Sequence, residues 1–256
     1  GQRFMEVARR VTRKIPVIAV KSGKTAAGSR AVSSHTGSLA GSEAAYDAAF
    51  RQSGVLRANS IEELFDYSLA FAYQPLLKGE NIAVVTNAGG PGIMATDALE
   101  TAGLHLASLD KATIDLLREH LPAAANVYNP IDVLGDALAD RYAVAIEAAL
   151  KDPNVNGVLV ILTPQVRTEI EKTAELVGKM SGVYDKPILG VFMGEAKVSA
   201  GAKILNSSQV PNYSFPERAV GALRAMLEYH RWLQRPPLQV KTFDVNKELV
   251  RELFAR

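Results

Sequence analysis

Short apolar runs recur along the 256-residue chain between longer segments with helical spacing. Four of these runs are continuous and rich in Val and Ile, at residues 15–20, 82–86, 158–162 and 188–192. They lack the alternation of apolar and polar residues that marks a strand with one face in water, so they predict strands covered on both faces. Their alternation with helices predicts an α/β fold of doubly wound parallel sheets.

The helical segments suggest how the chain is divided. They lie at residues 4–13, 42–53, 61–73, 92–102, 111–120, 141–151, 167–181, 196–205 and 216–233. A helix ends before residues 74–80, a proline follows, and a new strand then begins. We therefore expect domains at 1–76 and 77–233, followed by a polar, linker-like connector at 234–256. The first domain offers one convincing strand and a short second one at 54–57, so we expect it to be incomplete.

The composition of the chain argues against several classes of function. The 29 Lys and Arg residues nearly balance 27 Asp and Glu residues, which argues against a nucleic-acid partner. No apolar run reaches the roughly 18 residues that a membrane span needs, so we expect no membrane partner. The absence of cysteine excludes disulfides, thiolate metal sites and cysteine nucleophiles, and favours a cytoplasmic location. The histidines are scattered and predict no metal site; they are His35, His105, His120 and His230.

His35 lies in a long loop of small, hydroxyl-bearing and glycine residues at 28–42, which follows a predicted strand. Such a loop can place an imidazole at a cleft, and Ser34, Thr36 and Gly37 offer hydroxyl and backbone N–H groups that suit a phosphate. A helix follows at once, and its first N–H groups also favour an anion. The alternative is a loop histidine that only bonds its own backbone.

The segment 86–92 (TNAGGPG) lies between a predicted strand and a predicted helix, which is the geometry of a phosphate cradle. Its candidate phosphate-binding residues are Asn87, Ala88, Gly89, Gly90 and Gly92. The spacing is not that of a dinucleotide fingerprint, and the alternative is an ordinary tight turn between strand and helix. Gly23-Lys24-Thr25 likewise fails as a phosphate loop, because Ile18 stands where that motif requires glycine.

A third candidate is the segment 129–136 (NPIDVLGD), at another expected strand end, where ligands of open α/β sheets collect. Asn129 and Asp132 are its possible substrate-site residues. Asp132 and Asp136 could instead cap the helix that follows.

The segments 34–42 (SHTGSLAGS), 86–92 and 129–132, in this order, resemble the ADP-forming acetate–CoA ligases of the succinyl-CoA synthetase-like (NDP-forming acyl-CoA synthetase) superfamily. The resemblance covers residues 1–233 and implies flavodoxin-like domains. It implies interconversion of acyl-CoA, ADP and phosphate with a carboxylic acid such as acetate, ATP and CoA. The implied route passes through an acyl phosphate and a phosphohistidine, which would form on His35, with the turn at Gly89–Gly92 helping to hold it.

The resemblance also implies partners. It implies no tightly bound cofactor, but CoA, ATP or ADP, and phosphate as substrates, with Mg²⁺ at an ATP-grasp domain. We expect the CoA-binding and ATP-grasp domains of the family to lie elsewhere, as domains or subunits in a homo- or hetero-oligomer. This chain alone is then not expected to make acetyl-CoA. The family's glutamate that orients the histidine has no counterpart that we can assign, because it would precede Gly1.

Two other functions remain open. One is the regulatory acyl-CoA-synthetase-like region of a protein lysine acetyltransferase, although the loop histidine is commonly absent there. The other is a non-catalytic binding or assembly module, since flavodoxin-like folds serve many functions. Formation of phosphohistidine separates the ligase from both.

Overall fold

The computed structural model describes residues 1–25, 27–28, 30–32, 42–236 and 246–254. Helices within these ranges include α1 (Gln2–Thr12), α2 (Glu43–Ser53), α3 (Ile61–Tyr73), α4 (Gly89–Thr101), α5 (Lys111–His120), α6 (Ala139–Lys151), α7 (Ile170–Met180), α8 (Ser199–Ser207), α9 (Pro216–Gln234) and α10 (Lys247–Phe254). The strands are β1 (Val17–Val20), β2 (Val55–Ala58), β3 (Asn81–Thr86), β4 (His105–Leu106), β5 (Ile131–Asp132), β6 (Gly157–Leu162) and β7 (Ile188–Phe192). The predicted alternation of strands and helices is confirmed.

The larger sheet is parallel throughout and is built around β3. Strands β4 and β5 both pair with β3 on one side, β4 with its first half and β5 with its second half. Strand β6 pairs along the other side of β3, and β7 follows β6. The chain therefore leaves β3 for one side of the sheet and later returns to the other, which is the doubly wound arrangement.

Both faces of this sheet are covered, as the continuous apolar runs predict. Alternate residues of β3 enter two separate cores: Ala83 and Val85 pack with α5, α6 and α7, whereas Ile82 and Val84 pack with α3, α4 and α9. A parallel strand buried on both faces needs this uninterrupted apolar sequence.

The smaller sheet consists, among the described residues, of β1 and β2 in parallel register from Val17↔Val55 to Val20↔Ala58. The expectation of full burial is wrong for β1: its first three residues are half-buried and Val20 is exposed. The reason is the small core beside it, in which α1 and α2 contribute Ala8 and Phe50.

The two sheets are joined mainly by α3 and α9, which lie side by side. Asp66 of α3, only 6% exposed, accepts two hydrogen bonds from the guanidinium of Arg218, at 2.6 and 2.8 Å. Gly54, between α2 and β2, packs so closely on the Trp232 indole that a Cβ there would come within 2.1 Å of the ring. These contacts fix the first unit on the second.

Three segments differ from the sequence-based expectation. Helix α4 begins at Gly89 rather than residue 92, because the two glycines form its first turn. Strand β5 has two residues and lies where only a strand end was expected. Helix α10 occupies residues 247–254 within the predicted connector, of which residues 237–245 lie outside the described ranges.

Candidate functional site

The loops that follow β3, β5 and β6 meet at one edge of the larger sheet. This edge is the topological switch point, because the chain crosses from β3 to opposite sides of the sheet there, and ligands of open α/β sheets bind at such points. A Cβ added to Gly135 would lie 3.7 Å from the Gln165 side chain and 3.8 Å from the Asn87 carbonyl oxygen, so the three loops are in contact.

The amino terminus of α4 is open at this edge. Its N-cap residue is Ala88, which has no side chain to cap the helix, and its first turn contains no acidic residue. Gly89 and Gly90 are exposed, and neither N–H has a partner among the described residues. Two donors and the positive end of the helix dipole are therefore available to an anion.

The glycines of this turn have different roles. A Cβ at Gly90 would meet nothing within 4 Å, and one at Gly89 would meet only the Asp132 carboxylate at 3.8 Å. A Cβ at Gly92 would instead approach the Thr86 methyl group to 3.2 Å, and the Gly92 N–H donates to the Ala88 carbonyl oxygen. Gly89 and Gly90 keep the space before the helix clear, whereas Gly92 lets α4 pack against β3.

Asn87 joins the ends of β3 and β6. Its side chain is 3% exposed; its Nδ2 donates to the Thr163 carbonyl oxygen at 2.8 Å, and its Oδ1 accepts from the Thr163 N–H at 2.9 Å. The Thr163 hydroxyl donates to the same Oδ1 at 3.1 Å. The Asn87 side chain is thus engaged within the protein and positions the turn that precedes α4.

Asn129 completes the sheet between β4 and β5. Its Oδ1 accepts from the Val84 N–H, and its Nδ2 donates to the carbonyl oxygens of Ile82 and Ala107. The side chain therefore replaces a missing strand partner of β3. Of the two possible substrate-site residues at 129–132, Asn129 has no amide group left for a ligand.

Asp132 lies beside the start of α4 and is half-buried. Its Oδ1 accepts from the Leu134 N–H at 2.9 Å, and its Oδ2 is the atom that faces Gly89. On the same loop, Asp136 pairs with Arg141 at 2.7 Å, and the Arg141 guanidinium lowers the pKa of this exposed carboxyl. Arg141 also donates to the Val133 carbonyl oxygen, so it fixes the loop that carries Asp132.

The histidine loop is anchored at both ends. Ser34, His35, Thr36 and Gly37 lie outside the described residues. Lys21, directly after β1, lies 3.8 Å from the carboxylate of Glu43, the first residue of α2. Arg57 of β2 donates to Glu43 and to Asp47, and these hydrogen bonds raise the pKa of the guanidinium. Lys21 and Glu43, the described residues on either side of the histidine segment, therefore lie close together.

The other histidines lie in helices or at the start of a strand. His105 opens β4, His120 ends α5 and His230 lies in α9. The described part of the chain contains no group of three histidine or carboxylate side chains that could hold a metal ion. None of its helices is both long and apolar enough to cross a membrane.

Sequence reasoning missed the loop after β6. Thr163 and Gln165 contact the α4 turn and the β5 loop. Two polar residues placed directly after the buried run at 158–162 were a signal that could have identified them.

The fold and this edge define a class: a doubly wound, flavodoxin-like α/β protein with an open helix amino terminus at the switch point. Comparison with known families gives two matches, to the Succinyl-CoA ligase like flavodoxin domain over residues 1–71 and to the Ligase-CoA domain over residues 82–236. Because the second match covers more than half of the chain, this protein belongs to the Ligase-CoA domain family.

Individual proteins that are similar to this chain carry related names. The chain is 46% identical over 231 residues to the acetate–CoA ligase [ADP-forming] I of Archaeoglobus fulgidus, covering 90% of this chain and 33% of that protein. It is 42% identical to the alpha subunit of acetate–CoA ligase [ADP-forming] II of Pyrococcus furiosus, covering 89% of this chain and 50% of that subunit. A solved structure of the dinucleotide forming acetyl-coenzyme A synthetase 1 of Ca. Korarchaeum cryptofilum, in complex with phosphate and ADP, matches with a TM-score of 0.84 and 36% identity, over 91% of this chain and 50% of that one. The chain thus spans a third to a half of these relatives.

Proposed function

We propose that this chain is the phosphohistidine and phosphate-binding part of an ADP-forming acyl-CoA ligase. The complete enzyme would interconvert acyl-CoA, ADP and phosphate with a carboxylic acid, ATP and CoA. Acetate is the acid we propose, because similar proteins carry that name. The observation that carries the proposal is the open amino terminus of α4, where Gly89 and Gly90 offer unpaired N–H groups at the switch point of the sheet.

The first step takes place on the thioester. A phosphate oxygen attacks the acyl carbonyl carbon, a C–O bond forms, the C–S bond breaks, and CoA leaves as a thiol after taking up the phosphate proton. The product is an acyl phosphate. Its phosphoryl group carries the charge that the N–H groups of Gly89 and Gly90 would stabilise.

The second step forms the phosphohistidine. A ring nitrogen of His35 attacks phosphorus, the P–O bond to the acyl group breaks, and the carboxylate is released. An imidazole with an ordinary pKa is largely neutral at pH 7 and has a free electron pair for this attack. In the third step an oxygen of the ADP β-phosphate takes the phosphoryl group from His35 to give ATP, and the histidine is regenerated.

Each candidate residue has a place in this scheme. Ser34, Thr36 and Gly37 would surround the phosphohistidine, and the backbone from Ala88 to Gly90 would receive its phosphoryl group. Gly92, Asn87 and Asn129 would act indirectly, because their contacts hold the turn and the sheet edge in place. Asp132 would border the substrate, since its Oδ2 faces Gly89.

The remaining reaction machinery would lie in other parts of the enzyme. We propose that CoA-binding and ATP-grasp domains or subunits act with this chain, the latter holding ADP or ATP with Mg²⁺. We also propose the division into 1–76, 77–233 and 234–256, and a cytoplasmic location, in keeping with the lack of cysteine.

Labelling of His35 tests the proposal. The intact enzyme that contains this chain is incubated with ATP labelled in the γ-phosphate and with Mg²⁺. We expect label that is lost in acid and retained in base, as phosphohistidine requires, and that disappears in His35→Ala. His120→Ala serves as the matched control and should keep the label, because the His120 Nδ1 only donates to the Leu116 carbonyl oxygen at the end of α5. Label that survives His35→Ala would refute the proposal.

A further inference from the structure

A cavity lies between the two units, away from the loops of the α4 site. It has a volume of about 370 Å³, which is within the range of small-ligand pockets. Its walls come from the end of α2, the start of β2 and the second half of α9. The lining residues are Arg51, Gly54, Val55, Leu56, Arg224, Glu228, Arg231, Trp232 and Arg235.

The charges around this cavity do not balance. Arg224 donates to Glu228 at 2.9 Å, and Arg231 pairs with Glu80. Arg51 and Arg235 have no ion pair among the described residues. Two positive charges at the cavity are therefore uncompensated within the part of the chain that the structure describes.

Trp232 forms one wall of the cavity. The residue is 9% exposed, and its indole lies against Gly54, where a Cβ would come within 2.2 Å of Nε1. The guanidinium of Arg13 lies 4.7 Å from the ring centre, and that of Arg235 lies 5.9 Å from it. The ring therefore places a fluorescent side chain beside the arginines of the cavity.

Helix dipoles account for only part of this arrangement. Arg51 lies in the last turn of α2 and Arg231 in the last turn of α9, and both helix ends favour a cation. This effect explains why arginines are tolerated there. It does not neutralise Arg51 or Arg235.

We propose that this cavity binds the dianionic phosphate group of a small molecule, either orthophosphate or a phosphate monoester, through Arg51 and Arg235. Two negative charges would match the two unpaired guanidinium groups, and guanidinium–phosphate hydrogen bonds are strong and directional. The ligand would join α2 of the first unit to α9 of the second. Its binding would therefore stabilise the junction between the units.

Trp232 provides the measurement, because it is the only tryptophan of the chain. The 256-residue chain is titrated at constant ionic strength with orthophosphate, with AMP as a phosphate monoester, and with adenosine, at about pH 8, where monoesters are dianions. We expect a saturable change of tryptophan fluorescence with orthophosphate, with AMP or with both, and none with adenosine. Tighter binding of AMP would identify a monoester ligand. A response to adenosine equal to that of AMP, or no saturable response to any phosphate, would overturn the proposal.

Variants separate this cavity from the α4 site. Arg51→Gln and Arg235→Gln should each weaken binding by at least about tenfold, the effect of losing a charge-assisted hydrogen bond. Arg118→Gln, which removes the same charge on α5 across the larger sheet, should leave the affinity unchanged. Gly90→Glu, which alters the α4 site, should also leave the fluorescence titration unchanged. An equal loss in all four variants would refute the assignment.

A variant without the reporter tests binding independently of fluorescence. Trp232→Phe keeps an aromatic ring in the cavity wall and leaves Arg51 and Arg235 in place, so orthophosphate should still show ³¹P line broadening. Loss of the broadening in the folded variant would contradict binding through these arginines. Thermal denaturation checks that each variant folds, and the wild-type titration decides the proposal even if one does not.

Discussion

Helices α3 and α4 begin in opposite ways. Ser60 caps α3 by accepting from the Glu63 N–H at 3.0 Å, and the Glu63 carboxylate accepts from the Asn59 N–H at 2.7 Å. Helix α4 begins at Ala88, without a capping side chain and without an acidic residue in its first turn. The same fold thus closes one helix start with its own side chains and leaves the other open, at the edge where ligands of such sheets bind.

The starts of α5 and α6 are also capped by side chains, unlike that of α4. Asp110 caps α5 by accepting from the Ala112 N–H, and Glu169, at the start of α7, accepts from the Ala139 N–H at the start of α6, at 3.0 Å. A cap typically contributes about 1 kcal/mol to stability. The α4 turn does without this contribution and keeps two backbone donors for a substrate. Substitutions that cap or block the start of α4, or that remove the cap of α3, test this difference.

The largest effect is expected from filling the open turn with charge. Gly90→Glu has room for its side chain, since a Cβ at Gly90 meets nothing within 4 Å, and it should fold normally. Its carboxylate would repel the phosphoryl group, so the rate of His35 phosphorylation in the intact enzyme should fall by about 100-fold, the scale of lost oxyanion stabilisation. Gly90→Gln, of equal size but neutral, should lose less than about tenfold. Equal losses in both variants would assign the effect to size alone.

A smaller effect is expected from capping α4. Ala88 has extended backbone angles, φ −147° and ψ 119°, so Ala88→Asp should cap the helix without strain. We expect the free energy of unfolding to rise by about 1 kcal/mol in urea denaturation. Phosphorylation of His35 should slow by roughly tenfold, because the carboxylate would occupy the donors. A variant that gains stability and keeps full activity would show that the open turn has no part in the reaction.

Removing the cap of α3 should affect stability only. Ser60→Ala removes the cap of α3 and should lower the free energy of unfolding by about 1 kcal/mol, measured in the same denaturation experiment. His35 phosphorylation should remain at the wild-type rate, because Ser60 lies outside the three loops of the site. Reduced phosphorylation in the folded variant would mean that the two helix starts are coupled.

The smallest effect concerns pH. The hydrogen bond from the Ala139 N–H lowers the pKa of the Glu169 carboxyl, with a further contribution from Lys172. A carboxyl with a lowered pKa in the folded state stabilises the protein above its unfolded pKa of about 4.3, and this stabilisation is lost as pH falls through the folded value. Thermal denaturation from neutral to acid pH should show this loss in wild type and less of it in Glu169→Gln. Identical pH profiles would mean that Glu169 does not cap α6.

Much of the fold follows from the sequence. The continuous apolar runs identify β3, β6 and β7 within a residue, because a parallel strand covered on both faces needs apolar side chains throughout. Gly103, just after the end of α4, adopts φ +69°, which only glycine tolerates easily, and a glycine at this position is a common helix stop. Strand β5 escaped notice because its two residues depend on pairing with Val85 and Thr86, and no local pattern encodes this.

The candidate site was predicted less completely. The glycines at 89–92 indicated an anion site from local sequence, because strand, glycine turn and helix are contiguous. Asn87 bonds to Thr163, which is 76 positions away in the sequence. Asn129 bonds to β3, up to 47 positions away. The contact between Gly54 and Trp232 is more distant still in sequence. Such long-range pairings arise from tertiary structure and leave no mark in either segment alone.

The most direct measurement follows the amide signals of Gly89 and Gly90 when His35 becomes phosphorylated. The intact enzyme is labelled with ¹⁵N-glycine and examined by NMR before and after treatment with ATP and Mg²⁺. If the start of α4 holds the phosphohistidine, these two amides should shift downfield, because their N–H groups acquire a phosphoryl acceptor, and they should stay in place in His35→Ala. Unshifted Gly89 and Gly90 signals in an enzyme that is phosphorylated on His35 would contradict the role assigned to α4.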